Sequence, residues 1–167
     1  MSRARRSWWR ALAQEKDFLL LSLGHSQVPF KVAALVLRDF ERRCLREART
    51  PSERVHIRRL TTKDILAEAF ADARPWKDFG PHLLRMKRLG YPNLWMRVFV
   101  ASIYVQSLAL FPERASDAFA LLDDAEQRVK RMRRRHRFRT QLLGGIEQAR
   151  QVAISQGIDP PEHGLRG

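Results

Sequence analysis

Apolar residues recur at spacings of three and four along almost the whole chain, and glycine and proline fall between the periodic segments. That pattern belongs to amphipathic helices. No alternating run rich in Val, Ile and Thr appears outside one continuous apolar stretch, so the pattern predicts an all-α protein, a single-domain bundle of roughly six or seven helices. The first helix is expected from about Ser7 to Leu23, stopped by Gly24. The second runs from about Val28 to Ala48 with Pro29 in its first turn, where a missing N–H costs nothing. Thr50-Pro51-Ser52-Glu53 reads as a capping box that starts a short helix to about Leu60. Thr61 or Thr62 then caps another helix, which ends before Pro75. Residues 74–80 read as a loop held down by Trp76 and Phe79, and Pro81 to Leu89 as a short helix closed by Gly90.

The longest apolar run, Leu94 to Phe111, contains Arg97 and Gln106 and is bracketed by Pro92 and Pro112. At helical rise it covers about 27 Å, just short of a bilayer's hydrocarbon core. It is expected to be a buried central helix, about residues 93–111 with Phe99 in the core, and no integral membrane association is expected. A long basic helix, about residues 115–143, should follow and be ended or weakened by Gly144-Gly145, with a last helix from Ile146 to Gln156. Residues 157–167 read as a flexible tail and residues 1–10 as a basic, mobile segment. No repeat and no internal boundary divides the 1–156 body.

The second helix has two faces. At 100° per residue, Ala33, Leu37, Phe40, Cys44 and Ala48 fall within about 80° of one another, and Lys31, Arg38, Arg42, Arg46 and Arg49 within about 80° on the opposite side. Cys44, the single cysteine, is therefore expected as a small buried hydrophobe. It forms no intramolecular disulfide, which fits a reducing compartment, the cytoplasm by default. The Arg- and Ser-bearing opening, acid-free before Glu15, would also suit organellar import in a eukaryote; Gln14 to Asp17 interrupt any secretory h-region.

Charge changes the picture most. The chain holds 32 Lys plus Arg against 18 Asp plus Glu, a formal net charge of +14. A polyanionic partner is the first expectation. The excess concentrates in RVKRMRRRHRFR, Arg128 to Arg139, with eight basic side chains in twelve residues and no acid. Leu122, Ala125, Val129 and Met132 continue an apolar stripe into it, after which Arg135, His136 and Arg139 occupy the core positions. Like charges at i, i+3 and i, i+4 repel. Water and salt, the preceding acids Asp123, Asp124 and Glu126, or an external polyanion can each offset that repulsion. Arginine predominates heavily over lysine, and its planar fork suits phosphate oxygens.

The main reading is a non-enzymatic nucleic-acid-binding protein, or a small subunit of a nucleoprotein complex, that contacts the phosphate backbone of RNA or single-stranded DNA. Its candidate contacts are Arg38, Arg42, Arg46, Arg49, Arg128, Lys130, Arg131, Arg133, Arg134, Arg135, Arg137 and Arg139. Trp8 and Trp9 between Arg6 and Arg10, and Phe138 between Arg137 and Arg139, are candidate stacking platforms. Other protein subunits are expected as partners. The alternative is an adaptor docking an acidic protein surface. A peripheral membrane binder is a further reading of the Arg/Trp-rich first helix.

No cofactor and no metal are expected. His25, His56, His82 and His163 have no zinc spacing, no glycine-rich phosphate loop occurs, and Asp64, Glu68 and Asp72 share one helix face without further ligands. In charge and helical class the chain resembles small helical subunits of CRISPR effector complexes and accessory ribosomal proteins. Arg131 to His136 resembles the Arg-x4-His spacing of the all-α HEPN ribonucleases. That resemblance implies an imidazole and a guanidinium acting on a scissile phosphate near a dimer seam.

Overall fold

The structure, a computed structural model, describes residues 3–25, 28–133 and 136–161. It holds seven α-helices: α1 (Arg3–His25), α2 (Phe30–Glu47), α3 (Pro51–Ala71), α4 (Trp76–Leu89), α5 (Leu94–Gln106), α6 (Ala115–Lys130) and α7 (Arg139–Ser155). Two 3-10 turns, Leu108–Leu110 and Pro112–Arg114, join α5 to α6. No strand occurs among the described residues, as the periodicity predicts. No helix in them is long and apolar enough to cross a membrane.

Two helices form the inside. α3 packs on α2, α4 and α5, while α5 packs on α3, α6 and α7, and α1 lies on α2. Val100, Ala101, Tyr104 and Val105 of α5 are sealed completely, together with Leu83 and Met86 of α4, Leu122 and Ala125 of α6 and Ala149 of α7. Each large apolar side chain so buried contributes about 1.5–3 kcal/mol relative to exposure. Trp76, Phe79, Tyr104 and Phe111 meet with ring centroids 5.4 to 6.1 Å apart. A smaller core of Leu12, Phe40, Cys44, Ala48 and Ile57 lies under Trp8 and Trp9.

Local chemistry sets the helix ends. The capping box is present: Glu53 N–H donates to Thr50 Oγ1 at 3.1 Å, and Thr50 N–H donates to Glu53 Oε2 at 3.2 Å. Asn93 caps α5, its Oδ1 accepting Met96 N–H at 2.8 Å. At the end of α4, Arg59 donates to the Leu89 carbonyl from Nε and Nη2 at 3.0 and 2.6 Å.

Five expectations need correction. Thr61 and Thr62 lie inside a continuous α3, because their hydroxyls find other acceptors: Thr62 donates to the Arg58 carbonyl at 2.6 Å and Thr61 to the Glu41 carboxylate. α4 begins at Trp76, so residues 76–80 are its first turns rather than a loop. Phe99 is half-buried rather than in the core, and α5 gives way to 3-10 turns after Gln106. Most consequentially, the long basic helix over 115–143 does not form. α6 stops at Lys130 and α7 starts at Arg139, with Gly144 and Gly145 inside α7. The apolar stripe runs out just where like charges crowd, so neither burial nor side-chain pairing carries the helix through the arginines.

Several buried charged groups are paired across helices. Lys16 Nζ of α1 lies 3.3 Å from Asp64 Oδ2 of α3, whose Oδ1 is 2.8 Å from Lys63 Nζ. Glu41 of α2 accepts Arg85 Nη2 of α4 at 2.6 Å. Nearby, burial lowers His82 from 6.5 to about 4, with the Arg38 and Arg85 charges pushing the same way and Asp78 and Glu41 opposing.

Gly80, Gly144 and His82 put this packing to the test. A Cβ on Gly80 would stand 2.5 Å from the Trp76 ring, which the aromatic cluster holds, whereas nothing lies within 4 Å of one on Gly144. Gly80→Ala should therefore cost about 1–3 kcal/mol and Gly144→Ala should stabilise by about 0.5–1 kcal/mol, read as opposite shifts of the urea midpoint. For His82, the unfolded chain takes up a proton near pH 6.5 that the folded chain refuses until about pH 4. Stability is thus full above that upper value and declines towards the lower one. His82→Leu should flatten this part of the decline when midpoints at neutral and mildly acidic pH are compared.

Candidate nucleic-acid interface

Leu122, Ala125 and Val129 keep α6 against the core, and Met132 is the last side chain of that stripe to pack there. From Arg131 the chain leaves the helix and turns through Phe138 into α7. His136 N–H donates to the Arg133 carbonyl at 2.9 Å, and Arg139 N–H donates to the His136 carbonyl at 3.0 Å. Phe138, at the N-cap of α7, is 41% exposed with the Arg137 guanidinium 4.3 Å above its ring.

The preceding acids pair both with cations of other helices and with the first cations of the run. Asp124 pairs with Arg97 of α5 at 2.6 Å and with Arg128 at 3.0 Å. Asp123 is 2.7 Å from Arg150 of α7, which also pairs with Glu126, and Glu126 is 2.6 Å from Lys130. These contacts hold the Glu126 carboxyl below its usual range, the Arg150 hydrogen bond most of all. Arg128 and Lys130 are thus tied to α6 acids. Arg131, Arg133, Arg137 and Arg139 have no carboxylate partner among the described residues. Arg134 and Arg135 lie outside the described residues. Arg139 is half-buried, and its Nε, shielded from solvent, has no hydrogen-bond partner.

Helix geometry adds to the field. The first turn of α7 carries no acid, and no side chain caps it. A helix N-terminus presents unpaired N–H groups and about half a positive charge. Arg137 and Arg139 adjoin that end in the sequence, and an anion is favoured there.

The other candidates sort differently. Arg38, Arg42 and Arg46 are exposed along α2 and Arg49 just past its end, and Arg42 pairs with Asp39. α2 packs on α1 and α3, whereas the loop hangs from α6 and α7, which pack on α5, so the two basic surfaces sit on different flanks. Trp8 and Trp9 are half-buried over the small core. Trp8 Nε1 donates to Glu47 Oε2 at 2.7 Å, and Trp9 meets His56 edge-on at 5.0 Å. Both therefore hold α1 down. Arg131 and His136 share the exposed loop, and His136 Nδ1 accepts Phe138 N–H at 3.3 Å.

Asp64 of the acidic triplet is buried and paired with lysines, and no cluster of metal-ligating residues occurs among the described residues. Burial pushes the Cys44 thiol up to about 11, which makes it unreactive. His163 lies outside the described residues.

Sequence reading missed the helix terminus at Arg139 and the assignment of Asp123, Asp124 and Glu126 to Arg97 and Arg150. The first had a local signal, since the core positions after Met132 are cationic. The second had none, because Arg97 and Arg150 lie far along the chain. No family model matches this chain, and neither the curated proteins nor the solved structures include a significant match.

Proposed function

We propose that this protein is a non-enzymatic nucleic-acid-binding protein or a small subunit of a nucleoprotein complex, and that it grips the phosphate backbone through the α6–α7 loop. The observation that carries this reading is the set of loop arginines that have no carboxylate partner among the described residues, two of which, Arg137 and Arg139, adjoin the uncapped N-terminus of α7. Phosphate oxygens complement both features, since guanidinium forks bind them bidentately and the helix end favours negative charge. The exposed Phe138 beside Arg137 favours RNA or single-stranded DNA, whose unpaired bases stack on aromatic rings. The α2 stripe supplies a second, weaker basic surface.

The test is the salt dependence of binding. Replacing Arg131, Arg133, Arg137 and Arg139 together by Gln should weaken binding uniformly across sequences. The slope of log K against log salt should flatten by about 0.7 for each single-strand phosphate that is no longer neutralised. Changing Arg38, Arg46 and Arg49 together should flatten it less. An unchanged slope in the loop variant contradicts the proposal, as does absence of binding by the wild type at low salt, which would turn attention to an acidic protein surface. RNA should remain intact throughout; cleavage abolished by His136→Ala would favour the ribonuclease reading instead.

A further inference from the structure

A groove of about 590 Å³ runs between α5 and α7, with Phe70 of α3 also on its wall. Trp95 and Phe99 stand one turn apart along α5 and stack nearly parallel, with centroids 5.5 Å apart and 7° between planes. Trp95 is 48% exposed, so the stack has an open end. Gln106 of α5 and Gln141 and Gln148 of α7 bring three carboxamides to the lining, and no charged side chain among the described residues lines it. Ser102 Oγ, shielded from solvent on the same wall, has no hydrogen-bond partner.

The α7 wall contains Gly144 and Gly145, and nothing lies within 4 Å of a Cβ on either. Neither has the positive φ found at Gly90 and Gly157. A glycine inside a helix costs about 0.5–1 kcal/mol relative to alanine. Here neither conformation nor packing within the chain requires it, and what the pair provides is an open groove floor.

The lining selects the occupant. A docked apolar helix would meet three amides with no use for them. Flat, aromatic nucleobases with donor and acceptor edges match parallel rings flanked by carboxamides. Position agrees, because the groove begins at Gln141 and Leu142, directly after Arg137 and Arg139 of the loop.

We propose that the α5–α7 groove receives the bases of a single-stranded polynucleotide, stacking on the Trp95–Phe99 pair, while the adjoining loop arginines hold its phosphates. This rests on the phosphate reading of the loop and extends it from the backbone to the bases.

The probes are a short single strand of mixed sequence, made as RNA and as DNA, and an abasic strand of the same length. Trp95→Ala should weaken binding of both base-bearing strands by roughly five- to a hundredfold, the range typical of one stacked base. It should leave abasic-strand affinity and the salt slope unchanged. Gly145→Leu, which has room to fold, should do the same by filling the groove, and thermal unfolding checks that both variants are intact. Base-bearing strands should quench wild-type tryptophan fluorescence and the abasic strand should not.

Wild-type affinity for base-bearing strands in both variants would overturn the groove proposal, and abasic binding with a steep salt slope would then leave the phosphate reading standing. Failure of the wild type to bind any strand would overturn both. Dissociation of a wild-type dimer by Gly145→Leu with strand affinity intact would assign the groove to a second copy of the chain and overturn the proposal.

Discussion

Eighteen carboxylates face thirty-two lysine and arginine side chains in this chain, and the fold depends on which cations those carboxylates meet. Glu15 joins α1 to Arg43 of α2, and Asp64 joins α3 to Lys16 of α1. Glu41 joins α2 to Arg85 of α4, and Asp117 joins α6 to Lys87 of α4 and to the Tyr104 hydroxyl of α5 at 2.8 Å. Asp124 reaches Arg97 of α5, while Asp123 and Glu126 reach Arg150 of α7. An exposed pair contributes at most about 1 kcal/mol, but breaking a buried one by removing a single partner costs about 3–5 kcal/mol. Acid that fastens helices to one another is acid withheld from the surface arginines.

The α6–α7 loop follows from that allocation. Each like-charge pair at helical spacing costs a few tenths of a kcal/mol, and several such pairs would form if α6 continued through Lys130 to Arg137. Past Met132 no apolar side chain compensates until Phe138 and Leu142. Leaving the helix at Lys130 ends the i, i+3 and i, i+4 register that would crowd like charges, and restarting it at Arg139 restores burial through Leu142, Ile146 and Ala149. The cationic surface and the uncapped helix end thus share one cause.

Much of this was legible in the chain. The two faces of α2 stand as spacing predicts: Ala33, Leu37, Phe40, Cys44 and Ala48 are buried and the arginine stripe is exposed. Thr50 and Glu53 cap as their spacing requires. What was not legible depends on contacts made across the fold. Thr61 and Thr62 carry the composition of a cap, and only a carboxylate on α2 and a carbonyl one turn back make them helix interior. Pro81 hides the start of α4 because nothing local shows that Gly80 lies under the Trp76 ring. Phe99 reads as core within an apolar run, and the groove on which it stands beside Trp95 is lined on its other side by two glycines of α7. The basic run itself was evident, and the cationic core positions after Met132 signalled the break, but the engagement of Asp123, Asp124 and Glu126 by the distant Arg97 and Arg150 was not legible.

On the proposed function, a polynucleotide lies along the α6–α7 loop rather than the α2 stripe. Photo-crosslinking a single strand carrying thio-substituted bases, followed by mapping of the modified peptides, tests this most directly. Crosslinks are expected in the segment from Arg131 to Gln148 and on the peptide carrying Trp95 and Phe99. Crosslinks confined to the segment from Arg38 to Arg49, or none under conditions where the strand is bound, would contradict it.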